Sequence, residues 1–163
     1  MKKYFNLSRY KELLKLQENG EISFLDLELL SLKASVAQQM CYNRKNDYFI
    51  LIDKYLSQII SPYEFRSKFL QMEKEDLEKA TIILENIQEL EVLTLANDLE
   101  KYSDLIGQIS TLCFEYNEVW DGTMEQMSES EFYYLVLVNR FWLTIIIFNS
   151  EILTSLNRLY GSN

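Results

Sequence analysis

The stretch 59-IISPYEF-65 holds the only proline of the chain and places a helix start inside an apolar run. Ser61 is followed three residues later by Glu64. A serine hydroxyl accepts a hydrogen bond from the backbone N–H three residues on, and an acid at that position faces the positive end of the helix dipole. Pro62 falls at the first helical position, where a missing N–H is harmless and a fixed φ suits the helix. The proline therefore predicts the beginning of a helix.

The same spacing of serine, acid and apolar residue recurs twice more, in 22-ISFLDL-27 and in 127-MSESEF-132. The sequence thus predicts three capped helix starts, at Ser23, Ser61 and Ser128. The approaches to the first two also align at an offset of 38 residues. Duplication of a helical hairpin and convergence on one amphipathic pattern both explain this alignment. The aligned pairs are Tyr10 with Tyr48, Leu13 with Leu51, Leu14 with Ile52, and Ile22-Ser23 with Ile60-Ser61.

The composition favours an all-α fold. One proline and four glycines are too few turn residues for a many-stranded sheet, which needs a turn about every 8–12 residues. We predict one domain over 1–163, an antiparallel bundle of about six or seven helices, with an N-terminal helical hairpin (1–46) and a bundle (47–160). Breaks near 73–76 and 97 stay open. Apolar spacing and caps predict helices at 4–18, 24–42, 47–58, from Pro62 onward, 73–95, 98–120 and 128–159.

Most enzyme classes lack a necessary residue here. The chain has no histidine, the commonest general base and metal ligand, and its four glycines form no phosphate-binding loop. Cys41 and Cys113 stand apart in apolar patterns, typical of reduced, buried cysteines in a cytoplasmic protein. We expect no enzyme activity, no cofactor and no metal. A minor alternative is a pair of carboxylates on one helical face, as in Glu85 with Glu89 or Glu115 with Glu118, acting on a metal or as acid and base.

The net charge of −9 favours a basic partner and repels nucleic acid and anionic membranes. The N-terminal ten residues have no apolar core of signal-peptide length, so we expect a cytoplasmic protein. Only 132–148 approaches the hydrophobicity of a membrane span. Asn139 and Arg140 lie at its centre, where a charge is costly in lipid, and we therefore expect a buried central core helix that is apolar nearly all round from Tyr133 to Phe148.

Trp120 is the aromatic residue that best fits a binding surface. It ends an amphipathic pattern and is surrounded by acidic residues, as an interface anchor for a basic partner would be. The alternative is a tryptophan that packs at the end of a helix. The run Glu73, Glu75, Asp76 and Glu78 is expected to mark a helix start instead. The predicted partner-binding residues are Glu115, Glu118, Trp120, Asp121 and Glu125.

Two stretches, 50-ILIDKYLSQIISPYEFRSKFLQM-72 and 99-LEKYSDLIGQISTLCFEYNEVWDGTMEQMSESEF-132, carry a family resemblance. Together they resemble the colicin D-type immunity proteins over roughly 48–145. The shared features are Leu56-Ser57, Ile60-Ser61, the pair of Phe65 and Phe69, and an acidic loop before a capped last helix. The resemblance implies a protein that binds a basic ribonuclease toxin domain and blocks its active site with carboxylates.

A second hypothesis is a structural subunit or assembly factor that packs on other chains through the apolar 132–148 helix. It predicts self-association or a large exposed apolar surface. The sequence leaves the identity of the partner and the oligomeric state open.

Overall fold

The fold is an all-α bundle, as predicted. The structure is a computed structural model that describes residues 3–23, 25–116 and 127–160, with side chains up to residue 149. Within these ranges there are seven helices and two strands of two residues each. They are β1 (Lys3–Tyr4), α1 (Leu7–Glu18), α2 (Leu27–Asn43), α3 (Lys45–Leu56), α4 (Pro62–Glu85), α5 (Ile87–Val92), β2 (Thr94–Leu95), α6 (Leu99–Glu115) and α7 (Glu129–Tyr160).

Two of the three predicted serine caps are confirmed. The Ser61 hydroxyl accepts a hydrogen bond from the Glu64 N–H at 3.2 Å, and Pro62 occupies the first turn of α4. The Ser128 hydroxyl accepts from the Glu131 N–H at 3.2 Å. Both helices therefore begin where the sequence pattern places them.

The predicted cap at Ser23 is wrong. Helix α2 begins at Leu27, and the carboxylate of Asp26 accepts from the N–H groups of Glu28 and Leu29, each at 3.0 Å. A carboxylate that accepts two N–H groups at the positive end of the helix is a stronger cap than a hydroxyl. The Ser23 hydroxyl instead accepts from the Leu25 N–H at 3.1 Å and forms a local turn ahead of the helix.

The two aligned arms end in the same backbone geometry. Gly20 follows α1 with φ of +73°, and Gln58, its counterpart 38 residues on, follows α3 with φ of +58°. After each arm a backbone N–H donates to the carbonyl five residues earlier, from Glu21 to Leu16 at 2.8 Å and from Ile59 to Lys54 at 2.9 Å. These bonds define a C-cap with one residue in the left-handed region. Glycine adopts that region without strain, whereas glutamine does not.

The predicted helix at 73–95 is wrong. Helix α4 runs through 73–76 without a break and ends at Glu85. Asn86 adopts an extended conformation and its side chain accepts from the Gln88 N–H at 3.1 Å, which starts the short helix α5. Beyond α5 the chain forms β2, which pairs antiparallel with β1. The start of the predicted 4–18 helix is therefore a strand residue, and α1 begins at Leu7.

The core consists of two apolar clusters joined by two long helices. We define the first cluster as Phe5, Tyr10, Leu13, Leu29, Val36, Met40, Ala80 and Leu90. The second cluster gathers the buried residues of α3, α6 and α7 around Phe65 and Phe69 of α4, with Cys41 of α2. Helices α2 and α4 contribute side chains to both clusters, so they hold the two ends of the bundle together.

Over residues 129–149, where its side chains are described, helix α7 is buried on one face only. Phe132, Val136, Leu143 and Ile147 have at most 9% of their surface exposed and pack in the second cluster. The expectation of a buried core helix therefore holds for one face of this segment only. The opposite half is apolar and exposed, with Tyr134, Leu137, Phe141, Trp142 and Phe148 each more than two-fifths exposed.

Candidate functional site

Helix α6 presents an acidic face to solvent. Glu100, Asp104 and Glu115 recur on one exposed side of the helix, with Gln108 and Thr111 between them. At about 1.5 Å per residue the face is about 22 Å long. Within the described residues none of its three carboxylates lies within 4.0 Å of a cationic group. Their charge is therefore available to a partner.

The acidic face lies in the part of the chain where the negative charge is concentrated. Residues 80–139 contain twelve acidic side chains and a single basic one, Lys101. The rest of the chain contains thirteen acidic and fifteen basic residues, so this segment carries a charge of −11 and the rest of the chain +2. The last turn of α6 also has no basic residue, although a cation is favoured at the negative end of a helix dipole. Glu115 therefore strengthens a negative potential that α6 already has at its end.

Only one of the predicted partner-binding residues can be placed. Glu115 is exposed at the end of α6 and belongs to the acidic face. Glu118, Trp120, Asp121 and Glu125 lie outside the described residues. The interpretation of this patch as a partner-binding site thus stays a prediction for all five residues.

The predicted carboxylate pair on one helix, Glu85 with Glu89, is wrong. Glu85 ends α4, and Glu89 lies in α5 after the extended residue Asn86. The helix interruption removes the regular spacing that would stack the two carboxylates. Among the described residues no group of three or more cysteine and acidic side chains is arranged to hold a metal ion.

A groove runs beside the acidic face, between α2, α4 and α6. Its volume is about 500 Å³ and its walls are mostly apolar. From α6 it is lined by Ile106, Gly107, Ser110 and Phe114, and Phe114 is 67% exposed at its mouth. Gly107 lies between the groove and the acidic face, so no side chain separates them there. Sequence reasoning missed this groove, because three helices that are distant in sequence form it.

Glu73 is an acidic residue that lines the groove. Its carboxylate is half-buried and accepts a hydrogen bond from the Ser110 hydroxyl at 2.5 Å. No cationic group of the described residues lies within 4.0 Å of it. Burial raises the pKa of Glu73, the Ser110 hydrogen bond opposes that shift, and the nearby Asp76 adds to it. A carboxylate with this environment in a concave site is a candidate for binding a ligand.

Asp76 is a buried acidic residue that also lines the groove, three residues after Glu73. Only 2% of Asp76 is exposed, and its carboxylate accepts from the Tyr48 hydroxyl at 2.9 Å and from the Arg44 guanidinium at 3.1 Å. Arg44 is the single residue between α2 and α3, and it also donates to Glu75 at 3.0 Å. The expectation that this acidic run marks a helix start is therefore wrong, because the run lies in the middle of α4. Its position follows from the absence of any helix-breaking residue between Phe65 and Glu85.

The two cysteines are buried in the second cluster. Burial raises the pKa of each thiol to about 12. The thiolate is the nucleophilic form, so neither sulfur is reactive near neutral pH. The Tyr102 hydroxyl lies beside the Cys41 thiol, and neither it nor the Tyr55 hydroxyl has a hydrogen-bond partner of good geometry among the described residues.

The exposed apolar half of α7 is a second possible contact surface. Tyr134, Phe141 and Phe148 follow one another at intervals of seven residues, with Leu137 between the first two. An apolar seam of this period is typical of a helix that packs against another helix. Among the described residues one segment, Glu129–Asn149, is long and apolar enough to cross a membrane, with a mean hydropathy of 1.4 and 28% of its most apolar window buried. Length and composition alone do not distinguish such a span from a helix that is partly buried in a bundle.

The comparisons with known proteins add no relative. No protein-family model matches the chain, and no curated protein or solved structure is significantly similar to it. The resemblance to the colicin D-type immunity proteins therefore depends on the spacing of apolar residues, helix caps and acids in this sequence alone.

Proposed function

We propose that this protein is a binding protein for a cationic partner, of the kind that inhibits a basic nuclease toxin by covering its active site. The observation that carries the proposal is the acidic face of α6. Its three carboxylates form no ion pair within the described residues, and the segment 80–139 that contains it carries a charge of −11 while the rest of the chain carries +2. A row of unpaired carboxylates can take the place of RNA phosphates on a basic nuclease.

The physical advantage of such a face is the rate of association. Complementary charge raises association rates toward ~10⁸ M⁻¹s⁻¹ at low salt, from about 10⁵–10⁶ M⁻¹s⁻¹ for neutral surfaces. Salt screens exposed charges over about 10 Å at 0.1 M. A partner that binds through this face should therefore associate more slowly as salt is added.

The partner is best sought by affinity capture from the protein's own cells, followed by kinetics with the purified protein that is captured. We expect the double variant Glu100→Lys and Glu115→Lys to slow association at least tenfold at low salt and to flatten its salt dependence. Glu18→Lys with Glu21→Lys, beyond the acidic segment, makes the same change in net charge and serves as the control. An acidic partner, or equal rates for the two double variants, would disprove the proposal.

A second candidate function, assembly into a larger complex, is favoured by the exposed apolar half of α7. A partner helix would cover the seam formed by Tyr134, Leu137, Phe141 and Phe148, which are exposed in the single chain. Sedimentation of the pure protein tests this candidate. A species that is larger than one chain, and that returns to one chain in Phe141→Glu, supports assembly. A compact monomer at all concentrations counts against assembly with its own copies.

A further inference from the structure

We propose that the groove between α2, α4 and α6 is a socket for a long basic side chain, lysine or arginine, of the cationic partner. The inference rests on the proposed function and names the contact that would anchor it. Three features of the groove support this occupant: the carboxylate of Glu73, the apolar walls, and the bare backbone at Gly107.

The first feature is an uncompensated carboxylate. Of the two acids in the groove, Asp76 already accepts from Arg44 and Tyr48, whereas Glu73 has only the hydroxyl of Ser110. A half-buried carboxylate without a cation is unfavourable compared with one in water. A cationic group that enters the groove compensates Glu73, so charge complementarity selects a cation over a neutral or anionic ligand.

The second feature is the shape and chemistry of the walls. Leu70, Leu77, Ile106 and Phe114 line the groove, and its exposed surface is mainly apolar. Lysine and arginine have aliphatic stems of three or four methylene groups that pack on such surfaces while the charged end reaches a polar group. The groove, at about 500 Å³, accommodates a side chain of this length. A compact inorganic cation would leave these walls without a contact.

The third feature is Gly107, a glycine inside a helix. A Cβ at this position would meet no atom within 4 Å, so the packing of the bundle does not require a glycine there. Glycine in a helix interior is about 1 kcal/mol less favourable than alanine. Because glycine has no side chain, nothing projects from this position between the acidic face and the groove. A cation attracted by the acidic face can therefore pass into the groove at this point.

Among the described residues that line the groove, one is basic. The ammonium group of Lys74 lies 4.0 Å from Glu78, on the solvent side of α4, and 70% of the Lys74 side chain is exposed. The ion pair of Lys74 with Glu78 is solvent-exposed and weak, and Lys74 makes no ion pair with Glu73.

The test uses n-butylguanidinium chloride as a probe on the pure protein, followed by backbone amide NMR. We expect dissociation constants on the order of 1 mM, with shifts at Ser110 and Ile106. Guanidinium chloride without the alkyl chain and 1-hexanol without the charge should each bind at least tenfold more weakly. Glu73→Gln should weaken binding of n-butylguanidinium at least tenfold, and Glu75→Gln, two residues away, less than twofold. Gly107→Leu should also abolish binding, with unchanged far-UV circular dichroism showing that α6 is intact.

Equal binding of n-butylguanidinium to wild type and Glu73→Gln would overturn the proposal, as would equal binding of 1-hexanol. Binding of the captured partner provides an independent test. Glu73→Gln should raise its dissociation rate at least tenfold. A partner that depends on Glu100 and Glu115 but not on Glu73 would refute the socket and leave the proposed function standing. If the probe needs Glu73 but the partner does not, the groove serves a free organic cation and the side-chain assignment is wrong.

Discussion

The buried carboxylate of Asp76 should be among the most stabilising polar groups of the bundle, and Asp76→Asn tests this. The substitution keeps the shape of the side chain and removes its charge. Only 3% of the Asp76 side chain is exposed, and its oxygens lie 3.1 Å from Arg44 and 2.9 Å from the Tyr48 hydroxyl. Removing one partner of a buried ion pair costs about 3–5 kcal/mol, because the other charge stays buried. Arg44 keeps 22% of its side chain exposed and retains Glu75, so the lower end applies, about 3 kcal/mol.

Urea unfolding at 25 °C, followed by far-UV circular dichroism, measures this loss. A change of about 3 kcal/mol corresponds to a fall of roughly 6–12 °C in Tm for a chain of this length. The matched control is Asp53→Asn, which removes a carboxylate that also accepts two hydrogen bonds, both from Arg140, at 2.8 and 3.1 Å. The Asp53 side chain is 54% exposed, so its loss should cost under about 1 kcal/mol. If Asp76→Asn lay within about 0.5 kcal/mol of wild type, or cost no more than Asp53→Asn, the assigned role of burial would be refuted.

Three further predictions concern local features. Gln58→Gly should stabilise the protein by about 0.5–1 kcal/mol, because it removes the strain of a non-glycine residue in the left-handed region. Gly20→Ala, at the equivalent C-cap, should destabilise the protein by about 1 kcal/mol or more. Urea unfolding that shows the opposite signs would contradict the shared geometry. Burial raises the pKa of Glu73, so the folded state holds its proton more tightly than the unfolded state, and the stability of the wild type falls as pH rises through that pKa. Glu73→Gln should therefore be the more stable protein at pH 7, with a difference that vanishes below about pH 4, as thermal unfolding across this range would show. Cys41 and Cys113, with pKa values raised to about 12 by burial, should react with a disulfide reagent at pH 8 only after denaturant is added, and rapid labelling of the native protein would contradict their burial.

Local signals explain what the sequence predicted well. The helix start at Ser61 and Pro62 depends on atoms within four residues, so the pattern alone determines it. The same reasoning failed at Ser23 because a second residue that can cap a helix, Asp26, follows three positions later, and α2 is capped by the carboxylate of Asp26. The pairing of β1 with β2 has no signal in either segment, since two residues on each side show no period and their partners are about ninety positions away.

In the candidate site, too, the sequence predicted some features and missed others. Glu115 was predicted as a binding residue from local charge, and the structure places it on the exposed acidic face of α6. Asp76 was misjudged, although a signal exists: it lies four residues after Met72 and four before Ala80, on the apolar side of α4. An acid in that register must be buried with a partner, or the helix must turn away. The groove could not be predicted, because its walls come from three helices whose arrangement depends on packing.

The division of the core into two clusters has a consequence for how the chain opens. Each cluster also has helices that contribute to it alone, α1 with α5 in the first cluster and α3, α6 and α7 in the second. Proteins open locally in cooperative units, each with its own free energy. Amide protons of α1 and α5 should therefore exchange with deuterated solvent as one group and those of α6 as another. The middles of α2 and α4 should exchange last, because they lose protection only when both groups have opened.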